Sequence, residues 1–458
     1  MYDVAIIGGG PGGYAAALYA HNFGLSVALV EKDEAVGGTC LHRGCIPAKA
    51  WLQTAEVFAT VAGAADFGVH ASAPSLDWAA ARERKGRVVG QLVSGLQGLL
   101  KKRKVDVIEG FGRLALPGAV EVALPDGGAR RLEARSIVLA TGSVARTIPG
   151  YPIDGDRIVT SDHALDWPSQ PGRVAIVGAG AIGAEFASLL TDVGSAVYLF
   201  EVLDQVVPGM EPEAARILDR ALSRRGVEIR TGTAVQPASI TPGGVTVPYE
   251  GGSLDVDVVL VAVGRAPFTE GLGLEGTRIL VDRGFVEVDP STMETAEPGV
   301  YAVGDIVAGT PQLAHAGFAE AIAAITHIAT GTPAPVNPMA IPLVVYTHPE
   351  VAAVGLTEAR AREAGYDVVA TRHSFGGVGR AVIQGRATGT VKIVAEKDGP
   401  ILGATVAGPS AGELIHELMY AVGWEALPAE AAEFVHAHPT LAEAVGETLL
   451  SAAGRSLH

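Results

Sequence analysis

The feature that most constrains the fold of this chain is a motif that occurs twice. Each copy is a short apolar strand, a glycine-rich turn, a helix and a second strand that ends in glutamate. The glycine-rich turns are 8–13 and 178–183, so the copies lie 170 residues apart, and each first glycine precedes an acid, Glu31 or Glu201, by 23 residues. This order is typical of a dinucleotide-binding βαβ unit. The repeat therefore predicts two such units in one chain.

The glycines of the motif have separate physical roles. The first makes the tight turn, the second lets the backbone approach a pyrophosphate, and the third lets the helix pack closely on the strand. The pyrophosphate is then held by unpaired N–H groups and the positive end of the helix, while the acid accepts hydrogen bonds from ribose hydroxyls. We therefore predict nucleotide contacts at Gly8, Gly10, Gly13 and Glu31 in the first copy, and at Gly178, Gly180, Gly183 and Glu201 in the second.

The second copy also predicts which nicotinamide cofactor binds. A carboxylate at Glu201 accepts a hydrogen bond from a ribose 2′-hydroxyl but repels a 2′-phosphate. Residues 202–215 contain no lysine or arginine, and they add negative charge at Asp204, Glu211 and Glu213. The sequence therefore favours NAD over NADP.

Composition and charge bound the remaining possibilities. A chain of 458 residues is long enough for about three domains. Its net charge of −16 argues against a nucleic-acid binder that works by phosphate neutralisation. No apolar run reaches the ~18 residues of a membrane span, and no signal peptide is readable, so we expect no membrane partner and a cytoplasmic location.

The pattern changes from about residue 337. Prolines at positions 338, 342 and 349 mark a boundary, and beyond it strands are predicted at 388–395 and 401–407 and helices at 411–422 and 428–434. No third nucleotide motif follows. The predicted fold class is α/β, with two Rossmann-like dinucleotide-binding domains and a C-terminal α+β domain.

The chain has two cysteines, Cys40 and Cys45, with four residues between them. They cannot form a disulfide framework in a chain of this length or complete a four-cysteine zinc site, and no metal is predicted. Because they follow directly after Glu31, a nucleotide in the first unit would place its reactive ring near them. A thiol pair can exchange two electrons with a flavin. Two buried apolar thiols are the alternative.

Three further features concern the reactivity of these thiols. A helix predicted to begin near Cys45 favours a thiolate at its N-terminus, and we hypothesise that Arg43 adds to this effect. Lys49 is expected about one turn along the same helix face. The sequence also offers a base, because His438 precedes Glu443 by five residues, and the carboxylate could hold one ring nitrogen and leave the other free. A surface histidine at a helix start is the alternative.

Together these motifs resemble those of the flavin-dependent pyridine nucleotide–disulfide oxidoreductases. The similarity covers essentially the whole chain. Residues 38–49 resemble the redox-active disulfide helix of the family, and residues 436–440 with Glu443 resemble its catalytic base. Within the family, the chain is most similar to the members that oxidise dihydrolipoyl groups.

The resemblance implies FAD in the first unit and NAD in the second. The implied domains are an FAD-binding domain at 1–148 and 266–336, an NAD-binding domain at 149–265 and a dimerisation domain at 337–458. The further FAD contacts that it implies are Lys32, Gly38, Thr39, Lys49, Gly112, Ala140, Thr141, Gly142, Asp305 and Ala314. The further NAD contacts are Ile182, Val235, Gly264 and Arg265.

The resemblance also implies an activity and partners. Protein-bound dihydrolipoyl groups are oxidised through a Cys40–Cys45 disulfide and FAD, with reduction of NAD⁺, and Lys49 pairs with Glu185 beside the flavin. In a homodimer, His438 and Glu443 act on the cysteines of the partner chain. The implied partners are the lipoyl domain and the peripheral-subunit-binding domain of a 2-oxo acid dehydrogenase complex.

Two alternatives remain at this point. The first is a reductase of another disulfide, such as glutathione or mycothione, although such relatives usually prefer NADPH and carry an arginine after the second acid. The second is a mainly structural role as a subunit docked in a larger complex. The departures from the family pattern are modest and lie at His42, Arg43, Ala48, Phe268, Ala316 and Gly317.

Overall fold

The computed structural model describes residues 1–115 and 117–457. The chain forms two compact units. Unit 1 comprises Met1–Ala50, Ala80–Arg146 and Arg265–Val336, and unit 2 comprises Trp51–Ala79, Thr147–Gly264 and Asn337–His458. Residues 51–79 therefore belong to unit 2, whereas the sequence placed them in the FAD-binding domain. The division into three domains stays a prediction.

The strands are numbered in chain order. They are β1 (Tyr2–Ile7), β2 (Val27–Glu31), β3 (Asp106–Glu109), β4 (Phe111–Ala115), β5 (Ala119–Ala123), β6 (Ala129–Leu139), β7 (Ser143–Ala145), β8 (Ile158–Val159), β9 (Arg173–Val177), β10 (Ala196–Phe200), β11 (Glu228–Arg230), β12 (Ser239–Thr241), β13 (Gly244–Tyr249), β14 (Gly252–Val256), β15 (Val258–Val261), β16 (Arg265–Pro267), β17 (Val281–Asp282), β18 (Phe285–Val286), β19 (Val300–Ala302), β20 (Leu343–Val345), β21 (Glu350–Gly355), β22 (Val368–Ser374), β23 (Thr390–Glu396) and β24 (Ile401–Gly408).

The α-helices are numbered in the same way. They are α1 (Pro11–Ala20), α2 (Gly38–Arg43), α3 (Cys45–Ala62), α4 (Trp78–Lys102), α5 (Ser161–Ala164), α6 (Ala181–Asp192), α7 (Pro212–Arg224), α8 (Ala314–Thr330), α9 (Glu358–Glu363), α10 (Gly379–Ile383), α11 (Ala411–Gly423), α12 (Pro428–Ala431) and α13 (Glu443–Ala452). Within the described residues, no helix combines the length and apolarity needed to cross a bilayer.

Unit 1 is built on a sheet in which β6 takes part in two different pairings. Strands β3, β2, β1, β6 and β19 pair in parallel, with residues 134–139 of β6 alongside β1. The first half of β6, residues 129–133, pairs antiparallel with β5, which in turn pairs with β4. One strand is therefore shared by a parallel sheet and an antiparallel ribbon.

The sequence of β1 explains its central place in this sheet. Its residues Val4, Ala5, Ile6 and Ile7 are all buried, as expected for a parallel strand covered on both faces. Ala5 and Ile7 pack into one apolar cluster, and Val4 and Ile6 pack into another on the opposite face. Helices α1 and α8 cover the second face, so the turn after β1 emerges at a fixed point on the carboxyl edge of the sheet.

Unit 2 contains the second copy of the motif. Its parallel sheet has the order β11-β10-β9-β15-β8, and β9 and β10 occupy the places that β1 and β2 hold in unit 1. The C-terminal part forms a separate antiparallel sheet in the order β20-β21-β24-β23-β22. Helix α11 packs on β21 and β24, and α13 packs on β22 and β23. The α/β class and the α+β character of the C-terminal part are thus confirmed.

Element boundaries differ from the predictions by a few residues. Helix α1 begins at Pro11, where proline has no N–H to lose at the first helical position. Helix α12 ends at Ala431, three residues before the predicted end. Helix α3 begins at Cys45, as predicted.

Candidate active site

The first glycine-rich turn has the geometry that the motif predicts. Gly8 has φ +106°, and a Cβ there would lie 2.3 Å from the carbonyl oxygen of Ala140. A Cβ at Gly13 would lie 1.8 Å from the carbonyl oxygen of Gly8, so strand and helix approach at a distance that only glycine permits. Gly10 caps α1 and faces Gly38, whose own Cβ would lie 2.6 Å from the Gly10 Cα. The turn therefore brings the α1 N-terminus beside the start of α2.

The second turn repeats this geometry in unit 2. Gly178 has φ +101°, and a Cβ at Gly183 would lie 1.8 Å from the Gly178 carbonyl oxygen. Gly180 caps α6, with open space where its side chain would be, and Ile182 lies in the first turn of that helix. Gly264 follows β15 with φ +105°.

The two acids are held by equivalent hydrogen bonds. In unit 1, the carboxylate of Glu31 accepts the N–H of Gly9 at 2.7 Å and the N–H of Asp33 at 2.9 Å. In unit 2, Glu201 accepts the N–H groups of Ala179 at 2.8 Å and Leu203 at 3.0 Å. Each acid is buried at the end of its strand. Both carboxylates are therefore fixed beside the turn before any ligand is considered.

A polar cluster in unit 1 joins four segments of the chain. The guanidinium of Arg265 donates to the hydroxyl and the carbonyl oxygen of Ser143, each at 2.7 Å, and lies 3.5 Å from the Thr39 hydroxyl. The Ser143 hydroxyl donates to Asp305. This cluster brings three predicted cofactor residues together, but it places Arg265, which was predicted to contact NAD, in unit 1 among predicted FAD contacts.

Phe268, one of the departures from the family pattern, contacts a predicted FAD residue. The ammonium group of Lys32 lies 4.6 Å from the centre of its ring, within the range of a cation–π interaction. Phe111 meets the same ring edge-on at 6.4 Å. The backbone of Phe268 is fixed by Thr141, whose hydroxyl donates to its carbonyl oxygen at 2.6 Å, and by the carbonyl of Gly142.

The other predicted site residues lie on separate elements of both units. Gly112 lies on β4, where a Cβ would be 3.1 Å from side-chain atoms of Ile7 and Val30. Ala314 begins α8, and Val235 forms an isolated bridge with Tyr249 in unit 2. Glu185 is buried on α6, where its carboxylate accepts the N–H of Tyr346 at 3.0 Å. Its pairing with Lys49 stays a prediction.

The two cysteines interact directly. Cys40 lies on α2 and Cys45 begins α3, and the Cys40 thiol is hydrogen-bonded to Cys45. This hydrogen bond, followed by burial, raises the pKa of Cys40, while the positive charge of Lys49 acts in the opposite direction. Burial, followed by the charges of Cys40 and Cys45, raises the pKa of Tyr14 to about 12.

Arg43, which was hypothesised to favour a thiolate, forms an ion pair with a neighbouring acid. Its guanidinium lies 2.7 Å from the carboxylate of Asp33. Its effect on the thiols stays a hypothesis. The neighbouring departure, His42, has its Nε2 atom 3.0 Å from the carbonyl oxygen of Val36. Both side chains therefore fasten α2 to the loop after β2.

The predicted base has the predicted carboxylate partner. The Nδ1 atom of His438 lies 2.7 Å from Oε1 of Glu443, and the other carboxylate oxygen accepts the N–H of Thr440 at 2.8 Å. These hydrogen bonds lower the pKa of Glu443, the one to His438 contributing most. The side chain of His438 is 78% exposed, so its ring is oriented on one side and accessible on the other.

Sequence reasoning missed one buried acid near the first turn. Glu320 on α8 is 1% exposed; one carboxylate oxygen accepts the N–H of Gly304, and the other has no hydrogen-bond partner among the described residues. Burial raises its pKa to about 7. An acid within the apolar face of a helix was the available signal. Tyr14 and Ser143 were also missed, since nothing in their spacing distinguishes them from ordinary turn residues.

Comparison with models of protein families shows to which family the chain belongs. A family model described as pyridine nucleotide-disulphide oxidoreductase matches residues 2–321. The chain belongs to the pyridine nucleotide-disulphide oxidoreductase family. The dimerisation-domain model of the same family matches residues 341–449, which indicates a homodimer.

Individual members of this family are similar over the full length. A dihydrolipoyl dehydrogenase from Bacillus subtilis is 39% identical, with 100% of this chain and 99% of the relative covered. Dihydrolipoyl dehydrogenase 3 from Pseudomonas aeruginosa is 42% identical with the same coverage. Among solved structures, LpdA from Mycobacterium tuberculosis superposes with a TM-score of 0.91 at 27% identity, covering 98% of this chain and 99% of that one.

Dihydrolipoyl dehydrogenases of the pyridine nucleotide-disulphide oxidoreductase family use FAD and NAD, and the residues present fit both. In each unit, backbone atoms leave no room for a side chain at the first and third glycines of the turn, and the second glycine leaves the helix N-terminus open to a pyrophosphate. The fixed carboxylates of Glu31 and Glu201 lie at the strand ends where ribose hydroxyls are bound in such units.

Proposed function

We propose that the protein is a dihydrolipoyl dehydrogenase, which oxidises dihydrolipoyl groups to lipoyl groups and reduces NAD⁺. The observation that carries the proposal is the hydrogen-bonded pair Cys40 and Cys45, at the start of two helices that follow the first nucleotide-binding motif. Relatives named for this activity match the chain from end to end at about 40% identity, which supports the assignment.

The first step is a proton transfer to His438. Glu443 holds Nδ1 of the imidazole, which leaves Nε2 as the acceptor for a proton from a dihydrolipoyl thiol. The carboxylate also stabilises the imidazolium that forms. Because the dimerisation domain indicates a homodimer, we propose that His438 acts on substrate bound at the cysteines of the partner chain.

The second step is thiol–disulfide exchange. The substrate thiolate attacks Cys40 of the Cys40–Cys45 disulfide, forming a mixed disulfide and releasing Cys45 as a thiolate. The second substrate thiol then displaces Cys40 and closes the lipoyl ring. The displaced Cys40 takes up the proton of the second substrate thiol, and the raised pKa of Cys40 supports its release as a thiol.

The cofactors complete the reaction. When bound, FAD would supply an acceptor for the electron pair of the dithiol, and NAD⁺ would supply the carrier that leaves as NADH. Glu31 orients the first nucleotide through its ribose, and Glu201 does so for the second and disfavours a 2′-phosphate. The residues after Glu201 add no compensating cation up to position 215, which supports NAD over NADP.

The partners follow from the same activity. We propose a lipoyl domain as the substrate carrier, a peripheral-subunit-binding domain as the docking partner in a 2-oxo acid dehydrogenase complex, and a cytoplasmic location. A reductase of glutathione or mycothione is the alternative, and the acidic segment after Glu201 disfavours it.

Steady-state turnover tests the proposal. Purified enzyme loaded with FAD is assayed with dihydrolipoamide and either NAD⁺ or NADP⁺, and with glutathione disulfide or mycothione disulfide and NADPH. We expect turnover with dihydrolipoamide and NAD⁺, and its loss in Cys45→Ser, while oxidation of NADH by ferricyanide continues. Full dihydrolipoamide turnover in Cys45→Ser, or preferred reduction of another disulfide, contradicts the proposal.

A further inference from the structure

A second histidine–carboxylate pair lies two residues before the proposed base. The Nε2 atom of His436 is 2.6 Å from Oε1 of Glu417 on α11. The side chain of His436 is 13% exposed, whereas that of His438 is 78% exposed. The same short segment therefore carries one imidazole that is fixed in the protein and one that is presented at the surface.

The ring of His436 is also packed on the helix that carries the partner of His438. A Cβ at Gly446 would lie 2.5 Å from Nδ1 of His436 and 2.9 Å from its Cε1, so the ring rests directly on the backbone of α13. Glu443 lies three residues earlier on this helix, and residues at that spacing share a helix face. Both histidines are consequently attached to one face of α13, one through a carboxylate and one by packing.

Hydrogen bonds within the segment leave it little freedom between these two attachments. The hydroxyl of Thr440 donates to the carbonyl oxygen of Ala437 at 2.7 Å, and the N–H of Thr440 donates to Glu443. The hydrogen bond to Glu417 raises the pKa of His436, and the charge of Glu443 acts in the same direction. An imidazolium between two carboxylates is held more strongly than a neutral ring.

We propose that His436, held by Glu417 and seated on Gly446, is a positioning residue for His438. It fixes the position of the segment that precedes α13. The His438 ring therefore keeps its hydrogen bond to Glu443 while its Nε2 atom reaches the substrate thiol. This inference rests on the proposed function, in which His438 is the base. In this proposal the proton goes to His438, and His436 acts only through it.

Three variants test the contacts separately. His436→Gln removes the imidazole, Gly446→Ala displaces it without removing a polar group, and Glu417→Ala removes its acceptor. Glu417→Gln keeps an acceptor oxygen and serves as the conservative rescue. His416→Gln is the matched control, because His416 is an exposed histidine on the same helix as Glu417.

The measurements distinguish a loss of base positioning from a loss of flavin or of stability. kcat and KM are measured with dihydrolipoamide and NAD⁺, oxidation of NADH by ferricyanide reports flavin loading, and thermal unfolding reports stability. A displaced base costs rate rather than binding, so we expect kcat to fall about 10- to 100-fold in the first three variants, with KM within about twofold. Glu417→Gln is expected to recover most of the loss in Glu417→Ala, and His416→Gln to match the wild type.

Two results would overturn the inference. One is a kcat with dihydrolipoamide that equals the wild-type value in both His436→Gln and Gly446→Ala. The other is a loss of kcat that is matched by parallel losses of ferricyanide turnover and of melting temperature, because such a loss indicates a structural role only. His438→Gln is assayed alongside: if it keeps full turnover, the proposed function has failed, whereas its inactivity together with normal His436 variants rejects only the positioning role.

Discussion

At the scale of single residues, the sequence predicted the groups whose chemistry requires a fixed residue type. Glu31 and Glu201 each accept a backbone N–H of the adjacent turn, and His438 lies within hydrogen-bonding distance of Glu443 as predicted, while their roles stay predictions. Arg43 pairs with Asp33 across a loop, and its effect on the thiols stays a hypothesis. The anchoring of His436 could not be predicted, since its partners lie 19 residues before it and 10 residues after it, on two different helices.

The hydrogen bond between His436 and Glu417 predicts a pH-dependent contribution to stability. It raises the folded-state pKa of His436 above the ordinary value of 6.5. The stabilisation is therefore fully present below that value and is lost as the pH rises through the folded-state pKa. We expect His436→Gln to lower the urea midpoint more at about pH 6 than at about pH 9. His416→Gln is the control, and an equal effect at both pH values contradicts the prediction.

At the scale of elements, hydrophobic pattern and glycine spacing predicted both strand–turn–helix units. Their close approach is a backbone property, so it can be read from the glycines alone. The double pairing of β6 could not be predicted, because both halves of an 11-residue strand look like ordinary strand sequence. The short α12 was overestimated for the same reason: local pattern does not show where tertiary packing ends a helix.

Two glycines of the second turn make a matched test of this reasoning. Gly183→Ala places a Cβ 1.8 Å from a backbone carbonyl oxygen, whereas Gly180→Ala meets no atom within 4 Å. We expect Gly183→Ala to lower the free energy of unfolding by more than about 3 kcal/mol or to prevent folding, because backbone cannot move aside. Gly180→Ala is expected to unfold like the wild type but to raise the KM for NAD⁺. Equal melting temperatures for the two variants would refute the packing argument.

A buried ion cluster connects three elements of unit 2. The ammonium of Lys392 on β23 lies 2.9 Å from Glu211, which caps α7, and 2.7 Å from Glu358 on α9. Its hydrogen bond to Glu358 is the main cause of the lowered pKa of that carboxyl. The corresponding stabilisation is therefore present above the ordinary carboxyl pKa and is lost as the pH falls through the lowered one.

An exposed ion pair between α7 and the strand beside β23 supplies the control for this cluster. Arg372 stands opposite Lys392 on the neighbouring strand and pairs with Glu213 on α7 at 3.2 Å. Lys392→Met leaves the buried carboxylate of Glu211 without its cation, whereas the half-buried Glu358 keeps its ion pair with Arg362, so we expect a loss of about 3–5 kcal/mol in unfolding free energy. Arg372→Met is expected to cost less than about 1 kcal/mol. Similar losses in urea unfolding for both variants contradict the difference in burial.

At the scale of the whole molecule, the repeat, the cysteine pair and the C-terminal dyad predicted the class, the family and the homodimer. The compact units divide the chain differently from the predicted domains, because residues 51–79 belong to unit 2. Sequence gives the order of segments, but assigning them to compact units requires contacts between positions far apart in the chain.

The proposed exchange of bases between subunits predicts complementation. Cys45→Ser and His438→Gln homodimers are each expected to be inactive with dihydrolipoamide. A mixed dimer has one site with both functional cysteines and a functional base, provided that the base comes from the partner. Random re-pairing of equal amounts should therefore restore about a quarter of wild-type activity. If mass spectrometry verifies the mixed dimers and no activity is restored, the base and the cysteines of one site come from the same chain.

The shared strand β6 has a consequence for how unit 1 opens. Its second half is hydrogen-bonded between β1 and β19, and its first half carries the antiparallel ribbon of β4 and β5. Because both halves of β6 belong to one continuous strand, we expect the ribbon and the nucleotide-binding sheet to open together. Amide protons in the outer ribbon should accordingly exchange with solvent only when the whole unit melts, as slowly as those in its centre.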